Sequence, residues 1–197
     1  MERWNHIYEI ASEQSGYFDV HQAAQSGFSL QLLKHHERTG RILRVRRGIY
    51  RLAHFPSGEH EDLVILWLWS ERLGIFSHST ALALHELSDY LPMRYHMTVP
   101  NSWKTRRLRV PETLQLHYAD VPSADLTRFG CFSITSVQRT LEDCRLAQMS
   151  PEWLEQAGAQ ARLRGPEVSY EGSLSVPGSG AFPVKTEARL RSIWGLD

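Results

Sequence analysis

Asp19–Leu52, DVHQAAQSGFSLQLLKHHERTGRILRVRRGIYRL, is the stretch on which the reading of this 197-residue chain turns. Asp19 followed three residues on by Gln22 predicts a reciprocally capped helix start, opening a short helix over Val20–Gln25 that closes on Ser26-Gly27. Ser29 then caps a second helix over Leu30–Thr39, and Gly40 stands where a left-handed C-terminal cap is wanted. After Gly40 the period changes to that of strands. Ile42, Leu43 and Val45, then Arg46-Arg47-Gly48, then Ile49, Tyr50 and Leu52 predict a hairpin. Two short helices joined by a turn holding Gly27, with a basic hairpin directly after them, make the pattern of a winged helix-turn-helix.

Placed about 100° apart around its axis, the second helix divides into two sides. Leu33 and His36 fall on one, inward side, His36 as a hydrogen-bonded core histidine. Gln31, Lys34, His35 and Arg38 fall opposite. The outward set has the chemistry for a duplex, since Gln pairs with adenine edges, Arg with guanine and Lys with phosphate. From Lys34 to Arg51, seven basic side chains stand against Glu37 alone, a net charge of +6 that would release counterions from DNA. The expected DNA-contacting residues are Ser29, Gln31, Lys34, His35, Arg38, Arg41, Arg44, Arg46 and Arg47. The competing reading is a solvated amphipathic helix beside a charged hairpin, and the two remain open at this point.

The residues carry a resemblance. Gly27-Phe28-Ser29, Leu33, Gly40-Arg41-Ile42, Arg44-Val45 and Arg47-Gly48-Ile49-Tyr50-Arg51-Leu52 resemble the N-terminal winged helix-turn-helix of the AbiEi-type antitoxins, the transcriptional half of bacterial type IV toxin–antitoxin systems. Downstream, Ser77-His78-Ser79-Thr80-Ala81-Leu82-Ala83-Leu84-His85-Glu86-Leu87 is similar to that family's Ser-His-x-x-Ala-Leu helix start, and His96-Met97-Thr98-Val99-Pro100 to its central strand. Thr135-Ser136-Val137-Gln138-Arg139-Thr140-Leu141-Glu142-Asp143 is similar to its Thr-Ser-x-x-Arg-Thr-Leu-x-Asp element. His36 departs from the pattern, where the family would place Leu. What the resemblance implies is a repressor of its own promoter, functionally linked to a nucleotidyltransferase-like toxin that it counters without a stable complex.

Composition agrees with a small bacterial regulator. The chain carries 22 basic and 22 acidic side chains, so a DNA binder of zero net charge must segregate its charge, as the +6 segment does. Cys131 and Cys144 make no disulfide framework and suit a reducing cytoplasm. The polar start Met1-Glu2-Arg3-Trp4-Asn5-His6 has no signal-peptide pattern, and Leu63–Trp69 is too short an apolar run to cross a bilayer. The expected architecture is α+β: an N-terminal winged helix-turn-helix over 1–53, then a mixed α/β domain over 59–164. A Gly-, Ser- and Pro-rich flexible linker over 165–183 and a terminal helix within 184–197 complete it. Trp4, Ile7, Tyr8 and Ala11 predict a first helix packed behind the pair. The second domain should hold helices over Glu61–Leu73, Ser79–Leu87, Ser136–Ala147 and Pro151–Leu163. Strands are expected over Tyr95–Val99, Leu114–Tyr118 and Phe132–Ile134.

Catalytic constellations are thin. There is no His-Glu-x-x-His, P-loop or Gly-x-Ser-x-Gly pattern, and no catalytic residue or cofactor is expected. His78 and His85, seven residues apart, would share a helix face, but a helix start whose Ser77 and His78 satisfy backbone groups is the commoner arrangement, so no metal site is expected. Glu142 and Asp143 point about 100° apart and do not converge. Arg139 should tie its helix to Asp143, four residues on. Arg94, Lys104, Arg106, Arg107 and Arg109 surround Pro100-Asn101-Ser102-Trp103, either as a second nucleic-acid surface or as a solvated hairpin over a buried Trp. The expected partner is double-stranded operator DNA, with self-association on it and no membrane. The alternatives are a nucleic-acid-processing enzyme that docks through the winged helix, and a solitary regulator without a toxin.

Overall fold

The structure, a computed structural model, describes residues 2–164, so the expected linker and terminal helix lie outside the described residues. The chain is α+β. Helix α1 (Glu2–Ser12) leads into strand β1 (Tyr17–Asp19), then α2 (Val20–Gln25), α3 (Leu30–Arg38), β2 (Ile42–Arg46) and β3 (Ile49–Leu52). The helix starts form as their residues dictate. The Asp19 carboxylate accepts from the His21 and Gln22 amides, and the Gln22 side chain accepts from the Asp19 amide in return. Ser29 accepts from the Leu32 amide at 3.2 Å.

The first core collects Ile7 and Ala11 of α1, Phe18, Ala23, Phe28, Leu33, Ile42, Tyr50 and Leu52. Helix α1 lies behind the pair as its spacing predicts, with the Trp4 ring 5.9 Å from Phe28. Strand β1 is absent from the sequence-based expectation: at three residues it is too short for an alternation signal, and all three are buried. It pairs antiparallel with β3, on the edge away from β2, and stacks Phe18 on Tyr50 at 5.7 Å. The hairpin itself is tight. Arg47 and Gly48 form its turn, with Gly48 at φ +78°, and Val45 is the extra residue of a bulge between the Arg44–Tyr50 and Arg46–Ile49 pairs.

The second part contains α4 (Glu61–Trp69), β4 (Ile75–Phe76), α5 (His78–Leu84), β5 (Tyr95–Val99) and β6 (Leu114–Tyr118), followed by β7 (Leu126–Phe129), β8 (Phe132–Thr135), α6 (Val137–Leu146) and α7 (Pro151–Arg164). Its five-stranded mixed sheet has the order β6-β5-β4-β8-β7. Strands β4 and β7 are also additions to the expected set, β4 for the same reason as β1. The basic segment after β5 is not a hairpin. Strands β5 and β6 run parallel, so the chain must cross over between them, and a 3-10 turn over Asn101–Thr105 buries Trp103 on the way. No helix among the described residues is long and apolar enough to cross a membrane.

Helix α4 joins the two parts. Leu63, Val64, Ile65, Leu66 and Leu68 are all buried, and their cluster takes in Tyr17 and Ile49 from the first sheet together with Phe76, Met97, Val99, Phe132 and Ile134 from the second. Each fully buried side chain of this size contributes about 1.5–3 kcal/mol. Polar contacts frame the seam: Glu61 accepts from the Tyr17 hydroxyl at 2.8 Å and pairs with Arg51 at 3.4 Å, while Arg72 pairs with Asp19 at 3.5 Å.

Candidate nucleic-acid interface and a histidine cluster

Helix α3 turns Leu33 into the core and leaves Gln31, Lys34, His35 and Arg38 exposed together on its far side. Ser29, Arg41, Arg44 and Arg47 are exposed as well. Arg41 also lies 6.0 Å over the Trp4 ring, which holds it beside α1. His36 is half-buried, as an inward position requires, but it is not the hydrogen-bonded core histidine expected. Its ring packs on Trp4 at 5.0 Å and Phe28 at 5.7 Å, and its Nδ1 makes no hydrogen bond. Burial holds its pKa below the usual histidine range.

Two of the seven cations between Lys34 and Arg51 turn toward α4. Arg51 is committed to Glu61 and to the Phe55 carbonyl at 2.9 Å. Arg46 ends β2 and is half-buried; burial pulls its pKa down and the nearby Asp62 carboxylate pushes it up. The exposed tip therefore belongs to Arg47. In the second basic group, Arg94, Lys104, Arg106, Arg107 and Arg109 are all exposed, and Arg106 pairs with Glu71 at 3.1 Å and lies 4.3 Å over the Trp103 ring.

The sequence motifs around Ser77 and Thr135 meet in the second part, where β4 pairs with β8 and α5 packs on α6. Ser77 precedes α5, but its hydroxyl makes no capping bond. It accepts instead from the Thr98 hydroxyl at 2.8 Å and touches His78 Nδ1 at 2.9 Å. His85 does not share a site with His78: its Nε2 contacts the buried Thr135 carbonyl at 2.7 Å. The Thr135 and Thr140 hydroxyls lie 2.7 Å apart, locking β8 to the first turns of α6. Arg139 donates to Asp143 at 2.8 Å, as expected from their spacing, and pairs with Asp125 at 3.4 Å. Glu142 turns away to Arg145.

A histidine cluster lies close by. His78 at the start of α5, His96 on β5 and His117 on β6 bring their ring nitrogens within 4.8 Å of one another. The sheet makes this meeting. Thr98 is registered with His117, so His96 is diagonal to it across the parallel pair, and the Ser77 amide donates to the His96 carbonyl, bringing His78 alongside. His96 Nδ1 and His117 Nε2 are 3.0 Å apart, and the His78 ring stacks on His117 at 3.6 Å. Burial, with each histidine disfavouring charge on the next, pushes His78 down to about 3 and His96 to about 4, and burial lowers His117 despite the Asp143 carboxylate. Two of the three residues sit on strands 21 positions apart, a separation no local spacing rule reaches.

Residues 5–53 match the family model described as "Transcriptional regulator, AbiEi antitoxin". The matched segment runs from α1 through the hairpin. No curated protein matches the chain. Among solved structures, the RV2827C protein from Mycobacterium tuberculosis aligns over 95% of this chain and 92% of its own, at 12% identity and a TM-score of 0.44.

Proposed function

We propose that the chain is a DNA-binding transcriptional regulator that docks α3 in the major groove of operator DNA, with the β2–β3 hairpin as a wing on the backbone. The observation that carries this reading is the exposed row Gln31, Lys34, His35 and Arg38 on a helix whose opposite side is held in the core by Leu33 and His36. Such a row offers base-edge donors and acceptors from a rigid support, and Arg41, Arg44 and Arg47 supply positive charge beside it. The family match over the same segment supports the assignment. The finer reading is repression of its own promoter as the antitoxin of a type IV pair, countering a nucleotidyltransferase-like toxin without a stable complex. Fluorescence anisotropy on a labelled duplex from its own promoter, against a random duplex of equal length over a salt series, tests the DNA step. Tighter binding to the promoter duplex, with log affinity falling linearly in log salt, is expected. Equal affinity for both duplexes would remove the operator assignment.

A further inference from the structure

We propose that His78, His96 and His117 form a three-nitrogen binding site for a divalent transition-metal ion, zinc foremost. The site goes beyond the DNA-binding reading and stands apart from it, since none of its residues belongs to α3 or the hairpin. Three imidazoles from three separate elements converge here, each partly exposed, so an ion has an approach from solvent. An all-imidazole donor set suits zinc, copper or nickel and not magnesium or calcium, which take oxygen ligands.

The distances lie close to what such an ion needs. Tetrahedral zinc holds imidazole nitrogens about 2.0–2.1 Å from the metal and therefore about 3.3 Å from one another. The His96 Nδ1 to His117 Nε2 separation of 3.0 Å is within a few tenths of that, and a metal would replace the proton the two nitrogens now share. His78 is the ring that must move. It lies nearly flat over His117, with 14° between the planes, and has to tilt until a nitrogen faces the common centre. Its Nδ1 is already engaged by Ser77, whose hydroxyl is oriented by Thr98, so Nε2 is left as the ligating atom. This is the outer-shell arrangement that fixes the tautomer of a metal-bound imidazole.

The surrounding charge is mixed. Arg139 opposes a cation near His78, but its guanidinium is committed to Asp143 and Asp125. Asp143, whose carboxylate acts on His117, is buried and leaves its Oδ2 without a hydrogen-bond partner. A buried carboxylate oxygen so placed favours an added cation or its bound water. Three protein nitrogens leave the fourth zinc position to water.

The test uses tag-free full-length chain, stripped with EDTA, reloaded with zinc chloride, desalted and analysed for metal. The expected result is about one zinc per chain, as for a single site of three protein ligands and one water. His96→Gln and His117→Gln, made separately, should each lose most of that zinc, and His54→Ala, at an exposed histidine elsewhere, should keep it. Two readouts on the wild type guard against variants that fail to fold: Tm should rise with zinc but not with magnesium, and cobalt should give the visible bands of a four-coordinate ion. Wild type that takes up no zinc, zinc retained by both Gln variants, or cobalt without those bands would each overturn the site.

Discussion

The Tyr17 hydroxyl donates to the Glu61 carboxylate across 2.8 Å, linking the first strand of the N-terminal sheet to the first turn of α4. Burial, then the Glu61 hydrogen bond and charge, raise the Tyr17 pKa well above the usual tyrosine value. In the unfolded chain the phenol ionises near pH 10. Above that pH the unfolded state has lost a proton that the folded state keeps, so stability is full below about pH 10 and falls as pH rises further. Urea unfolding of wild type and Tyr17→Phe from pH 8 upward checks this. The variant should be less stable by about 0.5–1.5 kcal/mol at neutral pH and should show a flatter alkaline limb. Parallel limbs would count against the assignment.

The hairpin cations should separate by what they face. Arg47 is exposed at the turn, so Arg47→Ala should weaken binding to specific and random duplexes alike, flattening the log–log salt slope by about 0.9 for each phosphate left without its cation. Arg46, half-buried near Asp62, should change that slope less and thermal stability more. Replacing Gln31 or Arg38 should instead relax discrimination at particular base pairs, by about 1–3 kcal/mol each. Anisotropy with single-site operator variants reads both effects. Unchanged slope and unchanged preference together would favour the surface around Arg94, Lys104, Arg107 and Arg109 as the DNA-binding face.

Thr140 has a structural role inside the Thr135–Asp143 motif. Its hydroxyl reaches both the Thr135 hydroxyl at 2.7 Å and the Thr135 carbonyl at 3.1 Å, all of it buried. Thr140→Val keeps the shape and leaves the buried Thr135 hydroxyl without this partner, while the Thr135 carbonyl keeps its contact with His85, at an expected cost of about 1–3 kcal/mol. Denaturant titration measures it, and DNA affinity should not change.

Gly16 is constrained twice, by φ of +86° and by Phe55, whose side-chain atoms would lie 2.7 Å from an added Cβ. Gly16→Ala should destabilise by about 1–3 kcal/mol, read as a lower Tm. Pairing it with Phe55→Ala should recover part of the steric cost, since the Cγ and Cδ1 contacts go and the Cβ contact stays, and should leave the backbone part.

Features set by local chemistry are legible in the residues. The Asp19–Gln22 cap, the Ser29 cap and the inward Leu33 all follow from spacing within one turn or two. The α+β class follows from the change of period after Gly40. Features that depend on register are not legible in the same way. Strands β1 and β4 are too short to show alternation, and their sheets are completed by partners distant in sequence. The relative direction of β5 and β6 has no local signature either, so the basic segment between them reads as a hairpin. The same gap hides the histidine cluster: spacing relates position 78 to position 85 on its own helix, while its neighbours in space are carried by two strands of the sheet.

Tyr17 and Ile49 bury their apolar surface against α4, in the same cluster as the central strands of the second sheet. The N-terminal sheet and the second sheet therefore share one apolar core through α4. On the proposed reading, a ligand at the histidine cluster that changed DNA affinity would have its own affinity changed by DNA by the same factor.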